Sequence, residues 1–271
     1  MLAGLRRSGF EAAPVPTRGP GDAEGLARDA AAGGAETIFA LGGDGTLREC
    51  AAGILGSNAA LGFLPTGTMN VMALELGVRG RAVDVARAYA KAREIRLGVG
   101  LADGTPFLMQ ASTGIDAFLI GSLRPNEKRW LGQVSAVPAI VRALAKYHFP
   151  SFEVESETGI HSATLAVASN IARYGGRFEL TSQARSDGTS LELFLFSGRG
   201  RGAAIKFGLS LLLGRHSKLR AASFERIRAA TITAGPDVPF QIDGDVLRHA
   251  PGRPLEISLA AETLRMLVPV S

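Results

Sequence analysis

Residues 37–50, which read TIFALGGDGTLREC, decide the fold of this chain. The apolar run 37–41 predicts a short buried strand, and residues 47–55 predict a helix with one apolar face. The glycine-rich turn GGDGT lies between them. A strand, a glycine-rich turn and a helix in this order are typical of a phosphate site, because glycine lets backbone N–H groups approach phosphate oxygens and the helix N-terminus attracts anions. The alternative is a tight turn in which Asp44 caps the helix.

A second unit of the same kind follows directly. Residues 60–65, ALGFLP, predict another short apolar strand, and TGTMN at 66–70 leads into a helical stretch through Leu76. Consecutive units of this kind predict a mostly parallel sheet, and ligands bind such sheets at the carboxyl ends of their strands. We therefore expect the two loops to form one ligand site. The alternative role for Asn70 is a helix-start cap.

The pairing of GGDGT with P-x-G-T-x-N resembles the diacylglycerol kinase catalytic family, which includes bacterial lipid kinases and sphingosine kinases. NAD kinases share GGDGT, but their later motifs are not evident in this sequence. Four further stretches are similar to family motifs and follow the family's order from about residue 10 to the end of the chain. They are QASTGIDA at 110–117, Asn170 with the glycine pair at 175–176, SDGTSLEL at 186–193, and QIDGD at 241–245.

This resemblance implies ATP-dependent phosphorylation of a lipid hydroxyl, with Mg²⁺ as a further cofactor. The residues that it implies for nucleotide binding are Gly42, Gly43, Gly45, Thr46, Thr66, Gly67, Thr68 and Asn70. It also implies a structural Mg²⁺ site built from the Asp187 carboxylate and the carbonyls of Ala184 and Thr189, because Mg²⁺ prefers hard oxygen ligands.

Two acids are the candidate catalytic residues. A carboxylate inside a phosphate loop repels the ligand unless it faces a metal ion, a metal-bound water or a hydroxyl, and this singles out Asp44. Asp245 occupies the position of a family glutamate and is a candidate general base or a member of the metal network. The alternative for Asp245 is a structural role at a hairpin tip. For Asp116, polar structure and substrate contact both stay open.

Three departures from the family pattern lead to further expectations. The family opens with a strand that ends in N-P-x-S-G, and this chain begins near the helix that follows it, so we expect the first domain to lack that strand. Gly98 stands where the family often has an aspartate, and Asp245 is one methylene shorter than the family's glutamate. A non-catalytic member that binds lipid or nucleotide, and an NAD kinase-like enzyme, therefore stay open as alternatives.

The sequence predicts an α/β domain followed by a β domain. Residues 1–93 alternate helical and strand patterns, with a strand at 10–16 and helices at 22–32 and 81–93, which favours an NAD kinase-like α/β domain. Residues 94–271 carry short strands and hairpin signals, which favour an antiparallel β-sandwich with helical insertions near 128–147 and 201–213. We expect the last strand, at 263–268, to return to the first domain.

Composition limits the class of protein. The chain has 271 residues, of which 46% are hydrophobic and 20% charged, which is typical of globular domains. No apolar run approaches the ~18 residues of a membrane span, and no signal peptide is evident. The single cysteine, Cys50, excludes an intrachain disulfide and is expected to be a packed core thiol, in keeping with a cytoplasmic protein.

The charge balance points to an anionic partner. A formal charge of +5 and a pI near 9.8 suit ATP or an anionic lipid surface, whereas 6% aromatic residues and no RNA-binding motif argue against nucleic acid. Basic stretches at 199–202 and 215–220 bracket the apolar helix predicted at 201–213. This pattern is typical of transient membrane binding, and the alternative is an ordinary helix that caps the sandwich. We expect a peripheral enzyme at the inner face of the membrane; the lipid and a homodimer stay open.

Overall fold

The computed structural model describes residues 1–123, 137–176 and 178–270, and the described chain divides into two compact units. The first contains residues 1–99 and the C-terminal segment from Ala261, and the second contains residues 100–260. The sequence predicts a boundary between residues 93 and 94. That division would cut a strand in two, so the boundary lies later in the chain.

The first unit is an α/β domain. Its elements are α1 (Leu2–Arg7), α2 (Asp22–Ala32), β1 (Thr37–Gly42), α3 (Asp44–Ile54), β2 (Ala60–Pro65), α4 (Val71–Glu75), α5 (Ala82–Ala88), a 3₁₀ turn (Tyr89–Lys91), β3 (Ala92–Leu97) and β18 (Leu264–Pro269). The strand order is β1-β2-β18-β3. β1, β2 and β18 are parallel, and β3 is antiparallel to β18. The predicted mostly parallel sheet is confirmed.

The second unit is antiparallel. Its elements are β4 (Gly100–Ala102), β5 (Thr105–Phe107), β6 (Gln110–Gly114), α6 (Ile115–Ser122), α7 (Val137–Lys146), β7 (Phe152–Ser156), β8 (Gly159–Ala163), β9 (Leu165–Ser169), β10 (Arg173–Tyr174), β11 (Phe178–Glu179), β12 (Leu191–Phe196), α8 (Gly200–Leu212), β13 (Ala222–Ile227), β14 (Ala229–Thr233), β15 (Phe240–Ile242), β16 (Asp245–Val246) and β17 (Leu255–Leu259). Two six-stranded sheets have the orders β13-β12-β9-β6-β15-β16 and β5-β4-β17-β14-β7-β8. The predicted β-sandwich is confirmed.

The central strands of the sandwich do not alternate between buried and exposed residues, because other elements pack on both of their faces. One cluster of buried side chains, which includes Phe107, Leu193 and Ile257, joins the inner faces of the two sheets. A second cluster covers the outer face of β9 and β12, where Phe207 of α8 stacks on Phe194 with ring centroids 5.4 Å apart. Because both faces are covered, every residue of β9 and β12 is buried.

Several local predictions are wrong. No strand forms at residues 10–16: Pro14 and Pro16 lack the N–H that a ladder needs, and Phe10 instead packs edge-on against Phe39 with ring centroids 4.9 Å apart. The helix predicted at 81–93 ends at Ala88, because the chain tightens into the 3₁₀ turn and enters β3. Of the insertion predicted near 128–147, residues 128–136 lie outside the described residues, and α7 covers most of the rest.

Tyr89 joins the strands at the centre of the first sheet. Its buried hydroxyl accepts the Phe63 N–H at 2.6 Å and donates to the Phe63 carbonyl at 3.0 Å, with the Leu267 carbonyl at 3.4 Å. β18 pairs with β2 only at Leu61 and Gly62. The tyrosine hydroxyl therefore satisfies backbone groups of β2 beyond the end of that pairing.

Tyr89→Phe should lower the free energy of unfolding by roughly 1–3 kcal/mol, because it leaves a buried N–H without an acceptor. Urea denaturation measures the change. Tyr147→Phe is the matched control: that hydroxyl is also buried, but has no partner among the described residues, so its removal should be neutral or stabilising. Equal losses in the two variants would contradict the bridging role of Tyr89.

Candidate functional site

The GGDGT motif joins β1 directly to α3. β1 ends at Gly42 and α3 begins at Asp44, so the predicted helix start at residue 47 is almost one turn too late. Asp44, Gly45 and Thr46 therefore lie in the first helical turn, where backbone N–H groups have no intrahelical acceptor and the helix dipole favours negative charge. A Cβ at Gly42 would lie 2.5 Å from Thr46 Oγ1, so glycine is required for this approach of helix and strand.

The second loop is bonded to the first through its backbone. The N–H groups of Thr66 and Gly67 both donate to the Gly42 carbonyl, at 2.8 and 3.2 Å. These two amides hold the loops together and are already engaged within the protein. Thr66, Gly67 and Thr68 are nevertheless exposed. This loop therefore presents its threonine hydroxyl groups to a ligand, and not the backbone amides of Thr66 and Gly67.

The two loops also meet at their glycines. A Cβ on Gly67 would lie 2.7 Å from the Gly43 Cα, which only glycine avoids. Asn70 adopts a left-handed backbone with φ of 46° and donates through Nδ2 to the Gly67 carbonyl at 2.7 Å. It begins α4 without a side-chain cap bond. Its Oδ1 is buried and has no hydrogen-bond partner among the described residues.

Asp44 supplies the missing cap. Its carboxylate accepts the N–H of Val71 at 2.8 Å and of Met72 at 3.1 Å, so an aspartate of α3 caps the N-terminus of α4. Burial raises the pKa of Asp44, and the two amide bonds lower it in part. The sequence predicts that this carboxylate faces a metal, a metal-bound water or a hydroxyl. Each of its oxygens accepts one backbone N–H group, and the catalytic role of Asp44 stays a prediction.

Asp245 lies at the start of a strand in the second unit. Asp243 and Gly244 form the tip of the β15–β16 hairpin, with φ of 49° and 86°, as a two-residue type I′ turn requires. Asp245 is the first residue of β16, pairs with Ile242 and is half-buried. It therefore does not itself form the turn.

Asp243 is a buried acid for which the sequence alone predicts no separate role. Its carboxylate accepts three backbone N–H groups, from Leu108 at 2.8 Å and from Met109 and Gln110 at 2.9 Å each. These amides precede it by more than 130 residues, so no local spacing marks the contact. The aspartate anchors the hairpin that carries Asp245 to the start of β6.

Asp116 belongs to a polar network beside the same hairpin. Its carboxylate accepts hydrogen bonds from the hydroxyls of Ser112 and Tyr174 and, at 3.0 Å, from Gln241 Nε2. Burial and the Asp116 charge raise the pKa of the Tyr174 hydroxyl well above its usual value. Gln241 Oε1 in turn accepts the Gly244 N–H at 2.8 Å. The network thus reaches the turn next to Asp245, which favours the structural role for Asp116.

The predicted Mg²⁺ site at Asp187 has cationic neighbours. Asp187 Oδ1 accepts the N–H and hydroxyl of Thr189 at 3.1 and 2.6 Å, and these bonds lower its pKa. The Thr189 carbonyl accepts Arg228 Nη1 at 3.2 Å, and Arg185 lies 3.9 Å from Asp187. Two guanidinium groups beside the oxygen donors oppose a dication, so these residues, with the Ala184 carbonyl, fit Mg²⁺ poorly. The metal role stays a prediction.

Elsewhere, the described residues contain no cluster of three or more His, Cys, Asp or Glu side chains that could hold a metal ion. No helix among the described residues is long and apolar enough to cross a bilayer. Cys50 is buried, and burial together with the neighbouring Glu49 charge raises the pKa of its thiol to about 11, so the prediction of a packed core thiol is confirmed.

Asp243→Asn should lower the free energy of unfolding by roughly 2–4 kcal/mol, because the side chain loses its charge and one of its acceptor oxygens while facing three amides. Urea denaturation of Asp245→Asn provides the comparison within the same hairpin, and we expect a change below ~1 kcal/mol there. The reverse order of stability would show that Asp245, not Asp243, anchors the hairpin.

Comparison with known proteins agrees with this architecture. The model of the diacylglycerol kinase catalytic domain matches residues 2–102, and that of the YegS C-terminal NAD kinase beta sandwich-like domain matches residues 109–268. A probable YegS-like lipid kinase of Pseudomonas aeruginosa is 29% identical over 280 residues, covering 99% of this chain and 88% of that protein. A Mycobacterium tuberculosis diacylglycerol kinase is 25% identical over 279 residues, with the same coverage of both chains.

A solved structure shares the fold. The crystal structure of a Bacillus anthracis protein assigned to the diacylglycerol kinases superposes with a TM-score of 0.77 at 21% identity, covering 93% of this chain and 82% of that one. The two matched domains correspond to the α/β unit with its joined loops and to the β-sandwich. The chain therefore belongs to the diacylglycerol kinase catalytic family of lipid kinases.

Proposed function

We propose that this protein transfers the γ-phosphoryl group of ATP to a hydroxyl of a diacylglycerol-like lipid. The observation that carries the proposal is the joining of two loops at the carboxyl ends of the parallel strands β1 and β2. This is the edge at which open parallel sheets bind ligands. The N-terminus of α3 meets the loop from β2 there, and together they supply backbone N–H groups and exposed hydroxyls for a nucleotide.

Phosphoryl transfer depends on holding the phosphates and orienting the acceptor. The first-turn amides at Asp44, Gly45 and Thr46 donate to phosphate oxygens in this proposal, with Gly42 and Gly43 allowing close approach. Thr66 and Thr68 contact the nucleotide through their hydroxyls, and Asn70 contributes its side-chain amide at the end of the same loop. Asp44 supports the site by fixing α4 relative to α3 through its two hydrogen bonds.

The reaction breaks the bond between the γ-phosphorus and its bridging oxygen, and forms a bond to the lipid oxygen. The acceptor hydroxyl must lose its proton, and we propose that Asp245 orients this hydroxyl and accepts the proton. ADP leaves with the bridging oxygen. When bound with the nucleotide, Mg²⁺ offsets the negative charge of the phosphates. The product is a phosphorylated lipid, which assigns the protein to phospholipid metabolism.

The chemistry of the lipid acceptor determines where in the cell the enzyme must work. A diacylglycerol-like molecule resides in a bilayer, so we propose that the enzyme works as a peripheral protein at the cytoplasmic face of the membrane, where ATP is available. The excess of basic residues in the chain is in keeping with an anionic surface.

Asp44→Ala should abolish lipid-dependent ATP consumption, because α4 loses its cap and the end of the second loop is no longer fixed to α3. The loss of a cap costs roughly 0.5–2 kcal/mol, so the fold should persist, and circular dichroism checks this. Asp84→Asn is the control, since that carboxylate pairs with Arg81 at the surface of the same unit. Unchanged turnover in Asp44→Ala would remove the proposal.

Asp245→Asn should reduce the rate of lipid phosphorylation by ~10²–10⁴, as is typical when a general base is removed. Asp245→Glu restores the carboxylate with greater reach and should retain or raise the rate. A structural role would give the opposite order, because Asn substitutes well for Asp near turns. Steady-state assays of both variants with one lipid and saturating ATP distinguish the two roles.

A further inference from the structure

Two helices of the second unit leave apolar faces open to solvent. On α7, Val137, Ile140 and Val141 are 51%, 41% and 57% exposed. On α8, Ile205, Leu209 and Leu212 are 48%, 56% and 62% exposed, and the next residue, Leu213, is 69% exposed. The spacings of three and four residues place each set on one side of its helix. We call these seven side chains the two-helix surface.

The exposed face of α8 is not required for packing the helix onto the sandwich. Phe207 and Leu211 lie on the other side of α8 and belong to the buried cluster with Phe194 and Phe196. Phe207 packs against both rings, at centroid distances of 5.4 and 5.0 Å. α7 likewise turns Ala139 and Ala143 inward. Each helix is thus already anchored by one face while it presents a second apolar face.

The two helices are neighbours. Arg201, in the first turn of α8, donates through Nη2 to the carbonyl of Ala145, near the end of α7, at 2.6 Å. This bond brings the start of one helix to the end of the other. The two apolar faces therefore belong to one region of the second unit, and a single partner can reach both.

The segments that carry α7 and α8 have charged residues of one sign only. Residues 137–152 and 193–224 contain no Asp or Glu, but eight Lys and Arg residues: Arg142, Lys146, Arg199, Arg201, Lys206, Arg215, Lys218 and Arg220. The chain has 30 basic and 25 acidic residues, so the remainder holds 22 basic and 25 acidic residues and is net negative. The positive charge of the protein thus comes from the segments that carry α7 and α8.

Exposed apolar side chains in segments that are otherwise basic suit one partner better than others. An anionic lipid bilayer accepts the apolar side chains among its acyl chains and pairs its head groups with Lys and Arg. A second copy of this chain would instead bring the same positive charge against this surface.

We propose that the two-helix surface docks this protein on an anionic lipid bilayer. The inference deepens the proposed lipid kinase function, since docking gives the enzyme access to a lipid that does not leave the membrane. The cations attract the protein to the surface, and Ile205, Leu209, Leu212 and Leu213 enter the region below the head groups. Binding by this surface does not require ATP.

Co-sedimentation of the full chain with vesicles tests the proposal. We expect binding to vesicles of phosphatidylcholine mixed with phosphatidylglycerol, and much weaker binding to phosphatidylcholine alone. The double variant Leu209→Gln/Leu212→Gln and the double variant Lys206→Glu/Arg215→Glu should each lower the partition coefficient by roughly tenfold or more. Ile160→Gln is the control, because Ile160 is 70% exposed on a different element and should bind like the wild type. Thermal unfolding checks that all variants fold.

Three results would overturn the proposal: no binding of the wild type to either vesicle, equal binding of the wild type and both double variants, or a dimer in sedimentation velocity without lipid that Leu209→Gln/Leu212→Gln dissociates. The last result would assign the surface to a second copy of the chain.

Activity separates docking from catalysis. Both double variants should phosphorylate a short-chain diacylglycerol dispersed in solution at the wild-type rate, but lose activity toward diacylglycerol in anionic vesicles. An equal loss toward both substrates would overturn the docking role. If the wild type phosphorylates no lipid yet vesicle binding falls in the variants, the proposed function fails and the docking surface stands.

Discussion

The candidate site depends on the hydrogen bonds from the backbone of Val71 and Met72 to the Asp44 carboxylate. α4 has only five residues, and a helix of that length is not stable by itself. Its own N-cap residue, Asn70, makes no capping bond, so the orphan amides rely on an acceptor from another helix. The unfavourable burial of a carboxylate is offset by two amides and by the positive end of the helix dipole. This interaction thereby fixes α4, which follows the second loop, to α3, which follows the first.

The register of the parallel strands β1 and β2 brings the two loops close enough for this contact. Gly42 pairs with Pro65, so β1 and β2 end side by side and their loops leave the sheet at the same level. Gly43 and Gly67 then let the two backbones come into contact, and the Gly42 carbonyl accepts hydrogen bonds from two amides of the second loop. The two motifs, which are separate in the sequence, therefore form one hydrogen-bonded and closely packed pair of loops.

Elements with a strong local pattern could be predicted from the sequence. The bounds of α2 and β2 agree with the helix and strand patterns at 22–32 and 60–65, because glycine pairs and prolines mark their ends. Residues 10–16 mislead because their apolar residues suggest a strand, whereas Pro14 and Pro16 have no N–H to donate to a ladder. The sequence pattern places the start of α3 too late because glycine has a low helix propensity, whereas Gly45 lies in the first turn, where the cost of glycine is small.

The sequence indicates that the two loops lie together, but not the contacts that their residues make. Asp44 is identifiable as unusual in a phosphate loop, but its partner lies 27 residues away on another element. Asp243 looks like a turn residue, and its three amides come from a distant part of the chain. Long-range contacts of this kind leave no periodic signal in the sequence, so they become visible only once the chain is folded.

The position of β18 has a consequence for the order of synthesis. This strand lies between β2 and β3 in the first sheet, yet the ribosome makes it after the whole second unit. At the usual rate of synthesis, roughly ten to thirty seconds separate β3 from β18. During that interval β2 and β3 lack the strand between them, and their free edges can engage a chaperone or a protease. The sandwich can therefore mature on the ribosome, whereas the sheet that carries the phosphate loops must wait until β18 has been synthesised.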